Sequence, residues 1–124
     1  MERRPQSNRQ KAQRLGHIAE WVCANYLRTK GYSIIAGRFK TKVGEVDIIA
    51  RRRDVLVFVE VKFRQTTDEA IRAVTPASQK RIGRAAQAFI ARNGDAQSLG
   101  VRYDVIAMGR WRLVHLRDAW RDKN

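Results

Sequence analysis

Asp47, Glu60 and Lys62 stand where charged side chains are least expected. Asp47 is followed by Ile48, Ile49 and Ala50, and Glu60 and Lys62 are set among Val57, Phe58, Val59 and Val61. Short apolar runs of this kind read as strands buried on both faces. Charges rarely enter such strands unless they are paired or bind a metal. Two chemistries fit. One is a buried ion-pair cluster. The other is a hydrolytic centre in which Asp47 and Glu60 hold a divalent cation and Lys62 steadies the negative charge of a phosphorane-like transition state. Carboxylate and water ligands suit Mg²⁺ or Mn²⁺ rather than zinc.

Spacing alone does not choose between them, because an acid upstream of Glu-x-Lys is a common pattern. Strand alternation adds a constraint. Glu60 and Lys62 share a face, as do Glu45 and Asp47 on the neighbouring strand. With the two strands paired as a hairpin, Asp47 and Glu60 meet on one surface.

The elements that must position these residues are legible along the chain. A helix is expected from about Ser7 or Asn8 to Lys30. Leu15, Ile18, Ala19, Val22, Cys23, Tyr26 and Leu27 form its apolar stripe, and Gly31 supplies the stop. Glu20 lies on the flank of that stripe and Trp21 away from it. Strands follow at Ser33 to Phe39, Glu45 to Arg51 and Val55 to Lys62. The turn Arg52-Arg53-Asp54 makes the last two an antiparallel hairpin. A polar loop with a short helical turn near Ala70 leads to Thr75-Pro76, an N-cap followed by proline at the first helical position. That second long helix runs to about Arg92, with Ile82, Ala85, Ala86, Phe89 and Ile90 on its apolar side and Lys80, Arg81 and Arg84 on the other. Two strands, Val101 to Ala107 and Trp111 to Leu116, complete the order αβββαββ, with a short helix or tail from Asp118. The expected fold is a mixed α+β domain with helices covering a sheet. Met1 to roughly Gln10 reads as a basic tail, leaving 11–124 as one domain.

Composition bounds the partners. The 124 residues contain 26 Lys and Arg against 12 Asp and Glu, a formal charge of +14. Such an excess suits a polyanion, with nucleic acid first and an anionic membrane surface second. The single cysteine, Cys23, excludes an intrachain disulfide and a cysteine-based zinc site. No apolar run approaches transmembrane length. The basic N-terminus lacks the apolar segment of a signal peptide, so a cytoplasmic protein with no membrane partner is expected. His17 and His115 lack metal-ligand spacing. Trp111 and Trp120 can stack on bases, although aromatics at strand ends are more often packing residues. There is no glycine-rich phosphate loop.

Gly44-Glu45-Val46-Asp47-Ile48-Ile49 followed by Val57-Phe58-Val59-Glu60-Val61-Lys62 resembles the YraN-like family of small bacterial proteins, which is similar to archaeal Holliday-junction resolvases within the PD-(D/E)XK nuclease superfamily. The resemblance runs from about Gly16 to Asp118. It includes Gly16-x-x-Ala19-Glu20, Ala73-Val74-Thr75, Gln79 and Arg102-Tyr103-Asp104-Val105. It implies a restriction-endonuclease-like αβββαβ core, with a mixed central sheet flanked by helices. It also implies a metal-dependent endonuclease acting on DNA, with branched or junction DNA and a homodimer suggested by the resolvase relatives. Asp47 and Glu60 take the metal-ligand places and Lys62 the catalytic lysine's place. Glu20 takes that of the acid leaning toward the metal from the first helix, and Gln79 reaches the site from the second long helix. Lys80, Arg81, Arg84 and Arg64 are the side chains expected to grip the backbone. Val46 stands where the superfamily has its proline, and Ser78 where the family often has a lysine before the glutamine. The alternative is a non-catalytic nucleic-acid-binding module that keeps the nuclease fold.

Overall fold

A computed structural model of the protein describes residues 7–122. The basic tail expected at residues 1–10 lies outside these except at its end, where Asn8–Gln10 are already helical. Helix α1 spans Asn8–Thr29 and starts on a capping box: the Ser7 hydroxyl accepts the Gln10 amide while the Gln10 side chain accepts the Ser7 amide. Gly31, at φ 90, closes it.

Strands β1 (Ser33–Lys40), β2 (Glu45–Arg52) and β3 (Val55–Phe63) follow. Then come a short helix α2 (Thr67–Arg72), helix α3 (Pro76–Arg92), a 3₁₀ turn at Gly94–Ser98, and strands β4 (Gly100–Met108) and β5 (Leu113–Trp120). Thr75 caps α3 through the Ser78 amide with Pro76 behind it, as the sequence predicts. Two boundaries differ from expectation. The segment from Asp118 is neither helix nor tail, because β5 continues to Trp120. Trp111 lies in the turn before β5 rather than in the strand.

The five strands form one mixed sheet in sequence order. All neighbours are antiparallel except β3 and β4, which run parallel. A parallel pair needs a crossover connection, and α2 and α3 supply it. Helix α3 covers one face: Ile82, Ala85, Ala86 and Phe89 pack on Val46, Ile49, Leu56, Phe58 and Tyr103. Helix α1 covers the other: Cys23 and Leu27 pack with Tyr32, Ile48, Ala50, Val57, Val59 and Ile106. β2 and β3 are therefore buried on both faces, which is why they read as nearly continuous apolar runs.

Only the C-terminal half of the α1 stripe is core. Ala19, Cys23 and Leu27 are buried, but Leu15 and Ile18 are about half exposed. The first turns of α1 carry no other buried residue, so the stripe runs past the end of the core it was read as covering. Trp21 is exposed, as its place off the stripe predicts.

Candidate metal and nucleic-acid site

β2 and β3 pair from Arg52 and Val55 as far as Ile48 and Val59, and there the ladder ends. Asp47 Oδ2 accepts the Val61 amide at 2.8 Å, taking over a donor that the ladder leaves. Alternation also slips here. Val46 and Ile49 lie in the core beneath α3, whereas Ile48 and Ala50 lie in the core beneath α1. A strict period of two would put Val46 with Ile48. Asp47 sits at this irregularity. The acids thus meet at a fork between two strands, not on one flat face.

The fork opens into a cavity of about 340 Å³ lined by Glu20, Glu45, Asp47, Glu60, Lys62 and Arg64 among others. Of the residues expected to form the site, Asp47, Glu60, Lys62 and Glu20 are brought together, with Arg64 at the same cavity. Lys62 Nζ lies 3.3 Å from Glu60 Oε1, so the shared face holds. Glu20 reaches in from α1 and accepts from Arg38 Nε at 2.7 Å. Arg38 adopts φ 48, a left-handed conformation that costs a non-glycine residue roughly 1–2 kcal/mol. Arg81 on α3 holds Glu45 at 2.8 Å. Gly44 lets α3 come this close: a Cβ there would stand 1.9 Å from the Arg81 carbonyl oxygen.

Gln79, Lys80 and Arg84 are not at this cavity. They line a separate cleft of about 630 Å³ between α3 and the end of β5, with Trp120 and Asp122. Gln79 lies on the side of α3 turned toward β5, a placement that helical periodicity leaves undetermined without the sheet's position.

The electrostatics mark the fork as unfinished chemistry. Asp47 is pushed up to about 7, first by burial and then by the Glu60 carboxylate, against the Val61 hydrogen bond. Glu60 is raised too, chiefly by burial, with Lys62 opposing. Two neighbouring carboxylates whose burial disfavours the charged form are relieved by a bound cation as well as by protons. Mg²⁺ commonly binds through one or two carboxylates, keeping waters and taking substrate phosphate oxygens, rather than sitting in an all-protein cage. Among the described residues no three His, Cys, Asp or Glu side chains form such a cage. The donor set, Asp47 and Glu60 with open cavity beside them, fits Mg²⁺ or Mn²⁺ bound in this partly hydrated way. The Cys23 thiol, buried beneath Asp47 and Glu20, is pushed up to about 12 by burial first and those acids second, and is inert.

A second buried acid escaped the sequence reading. Asp104 is fully buried and takes both arms of the Arg102 guanidinium at 2.8 Å, His115 Nε2 at 2.7 Å and the Asp118 amide at 3.0 Å. Burial alone would raise it, but these hydrogen bonds hold it below the usual range. Every acceptor position is used, so this is a structural ion pair. Arg102-Tyr103-Asp104 carried its signal: an arginine and an acid two apart share a strand face. Asp104 and the Asp47–Glu60 pair are the two answers to a buried acid, one satisfied and one not.

A family model described as "Uncharacterised protein family UPF0102" matches residues 19–108. A UPF0102 protein of Paramagnetospirillum magneticum is 48% identical over 122 residues, covering 94% of this chain and 95% of that protein. One from Mesorhizobium japonicum is 45% identical over 125 residues, covering 100% of each. One from Rhizobium meliloti is 47% identical over 118 residues, covering 94% and 97%.

Proposed function

The chain belongs to the UPF0102 family, and on that premise we propose that it is a metal-dependent endonuclease of PD-(D/E)XK type that hydrolyses phosphodiester bonds in DNA. The observation that carries this reading is the pairing of two proton-hungry carboxylates, Asp47 and Glu60, with Lys62 in one cavity. Asp47 and Glu60 hold Mg²⁺ or Mn²⁺. When bound, the ion polarises a phosphoryl oxygen and lowers the pKa of water. Lys62, steered by Glu60, orients the attacking water and offsets charge on the phosphorane-like transition state. Arg64 meets the backbone at the cavity wall. Glu20, restrained by Arg38, completes the acidic wall. Branched DNA is the proposed substrate and a homodimer the proposed assembly, since a four-way junction calls for two symmetric cuts.

The test is cleavage of duplex, single-stranded, flap and four-way-junction DNA with Mg²⁺ and with Mn²⁺. Asp47→Ala and Lys62→Ala should abolish cutting and keep most DNA binding. Wild-type protein that cuts none of these with either metal overturns the reading. A second reading, a nucleic-acid-binding module without catalysis, draws on the ion pairs that the acids already make, Lys62 with Glu60 and Arg38 with Glu20. Salt-sensitive DNA binding with no cleavage in any condition would favour it.

A further inference from the structure

Trp111 is 89% exposed. An indole placed almost wholly in water covers nothing of its own protein, so packing does not explain it. It sits in the turn between β4 and β5, within Arg110-Trp111-Arg112. The Arg110 guanidinium lies over the ring, 5.9 Å from its centroid.

The turn is braced. The Gly109 amide donates to the Arg112 carbonyl at 2.8 Å, and the Arg110 amide to the Gln65 carbonyl at 3.1 Å. The Arg64 amide donates to the Met108 carbonyl at 3.0 Å. Gly109 is pressed against the start of α2, where a Cβ would stand 3.0 Å from the Thr67 amide nitrogen. These bonds tie the turn to the segment that leaves the acidic cavity. Lys62 and Phe63 pair in register with Ala107 and Met108, so β3 and β4 end side by side, one at the cavity and the other at Trp111. Phe63 and Leu15, also exposed, line the cavity between.

We infer that the β4–β5 turn is a nucleic-acid contact in which Trp111 stacks on an unpaired base while Arg110 and Arg112 hold the flanking phosphates. The occupant follows from the chemistry. A flat aromatic face flanked by two cations, with no acid between Lys62 and Arg64 or from Gly109 to Arg112, complements a chain of negative charges carrying π faces. Base–aromatic stacking of this kind is sequence-tolerant. A paired base inside a duplex keeps both faces covered, so the contact selects single-stranded segments. This goes beyond the cleavage reading and does not depend on it, because stacking needs neither metal nor turnover.

The experiment is fluorescence anisotropy in EDTA with a labelled single-stranded oligonucleotide and its duplex, so that loss of cleavage cannot be mistaken for loss of binding. Trp111→Ala should weaken single-strand binding roughly 5- to 100-fold and leave duplex binding nearly unchanged. Trp111→Phe should recover most of the loss. Unchanged melting temperatures confirm that both variants fold. Equal single-strand affinity in wild type and Trp111→Ala overturns the proposal and leaves the ring to a protein partner. So does an equal loss for single strand and duplex.

Discussion

At the scale of single residues, Asp47 has a measurable signature that does not require substrate. Its proton is held more tightly in the folded chain than in the unfolded one, with the pKa moved from 3.8 to about 7. The sign follows: the folded state is favoured when Asp47 is protonated, and stability drains away as pH rises from 3.8 toward about 7. Asp47→Asn removes the charge and leaves an oxygen to accept the Val61 amide. The variant should therefore melt above wild type at pH 8, by on the order of a few kcal/mol of stability, and the gap should close below about pH 4. Mg²⁺ or Mn²⁺ at pH 8 should raise wild type toward the variant and leave the variant still. Ions that move neither protein would return the pair to the ion-pair class, alongside Asp104.

At the scale of elements, α3 lies close against the chain entering β2, and one glycine makes that approach possible. Gly44→Ala places a methyl group against the Arg81 carbonyl, which is helix backbone and cannot rotate aside. Thermal unfolding should show a loss of about 1–3 kcal/mol or more, and the Arg81–Glu45 bridge should part with it. The hairpin β2–β3 was legible in the sequence because a tight charged turn separates two apolar runs, and both helices because their stripes and caps are local. Asp47, Glu60 and Lys62 were legible as anomalies in apolar strands. What was not legible depends on contacts between distant segments. The fork at Asp47 needs β3's Val61 amide. The exposure of Leu15 and Ile18 needs the edge of the core, since periodicity finds a stripe without saying where its cover ends. Trp111 reads as the start of a strand until the Arg110–Gln65 bond places it in the turn. Asp104 reads as an ordinary polar residue until Arg102 and His115 close on it.

At the scale of the whole molecule, the +14 charge acts over the surface rather than at one site. DNA binding should fall linearly in log affinity against log salt, with a slope set by the phosphates engaged. Arg64→Ala should flatten that slope by about one. Arg81→Ala should flatten it less, because its guanidinium is already committed to Glu45. No helix among the described residues is long and apolar enough to cross a membrane. The parallel pairing of β3 with β4 has a consequence in time. As the chain leaves the ribosome, β2 is on hand when β3 appears, but the far edge of β3 waits for Gly100–Met108 to be synthesised. During that interval Leu56, Phe58, Glu60 and Lys62, which alternate with the residues turned toward β2, present an unpaired strand edge, the kind of template on which neighbouring chains add. Synthesis that stalls before Gly100 leaves that edge of β3 open, and synthesis that passes Met108 supplies the strand that closes it. Among the strands with two neighbours, the one that carries Glu60 and Lys62 thus waits longest for its second, because only the short turn after Met108 separates β4 from β5.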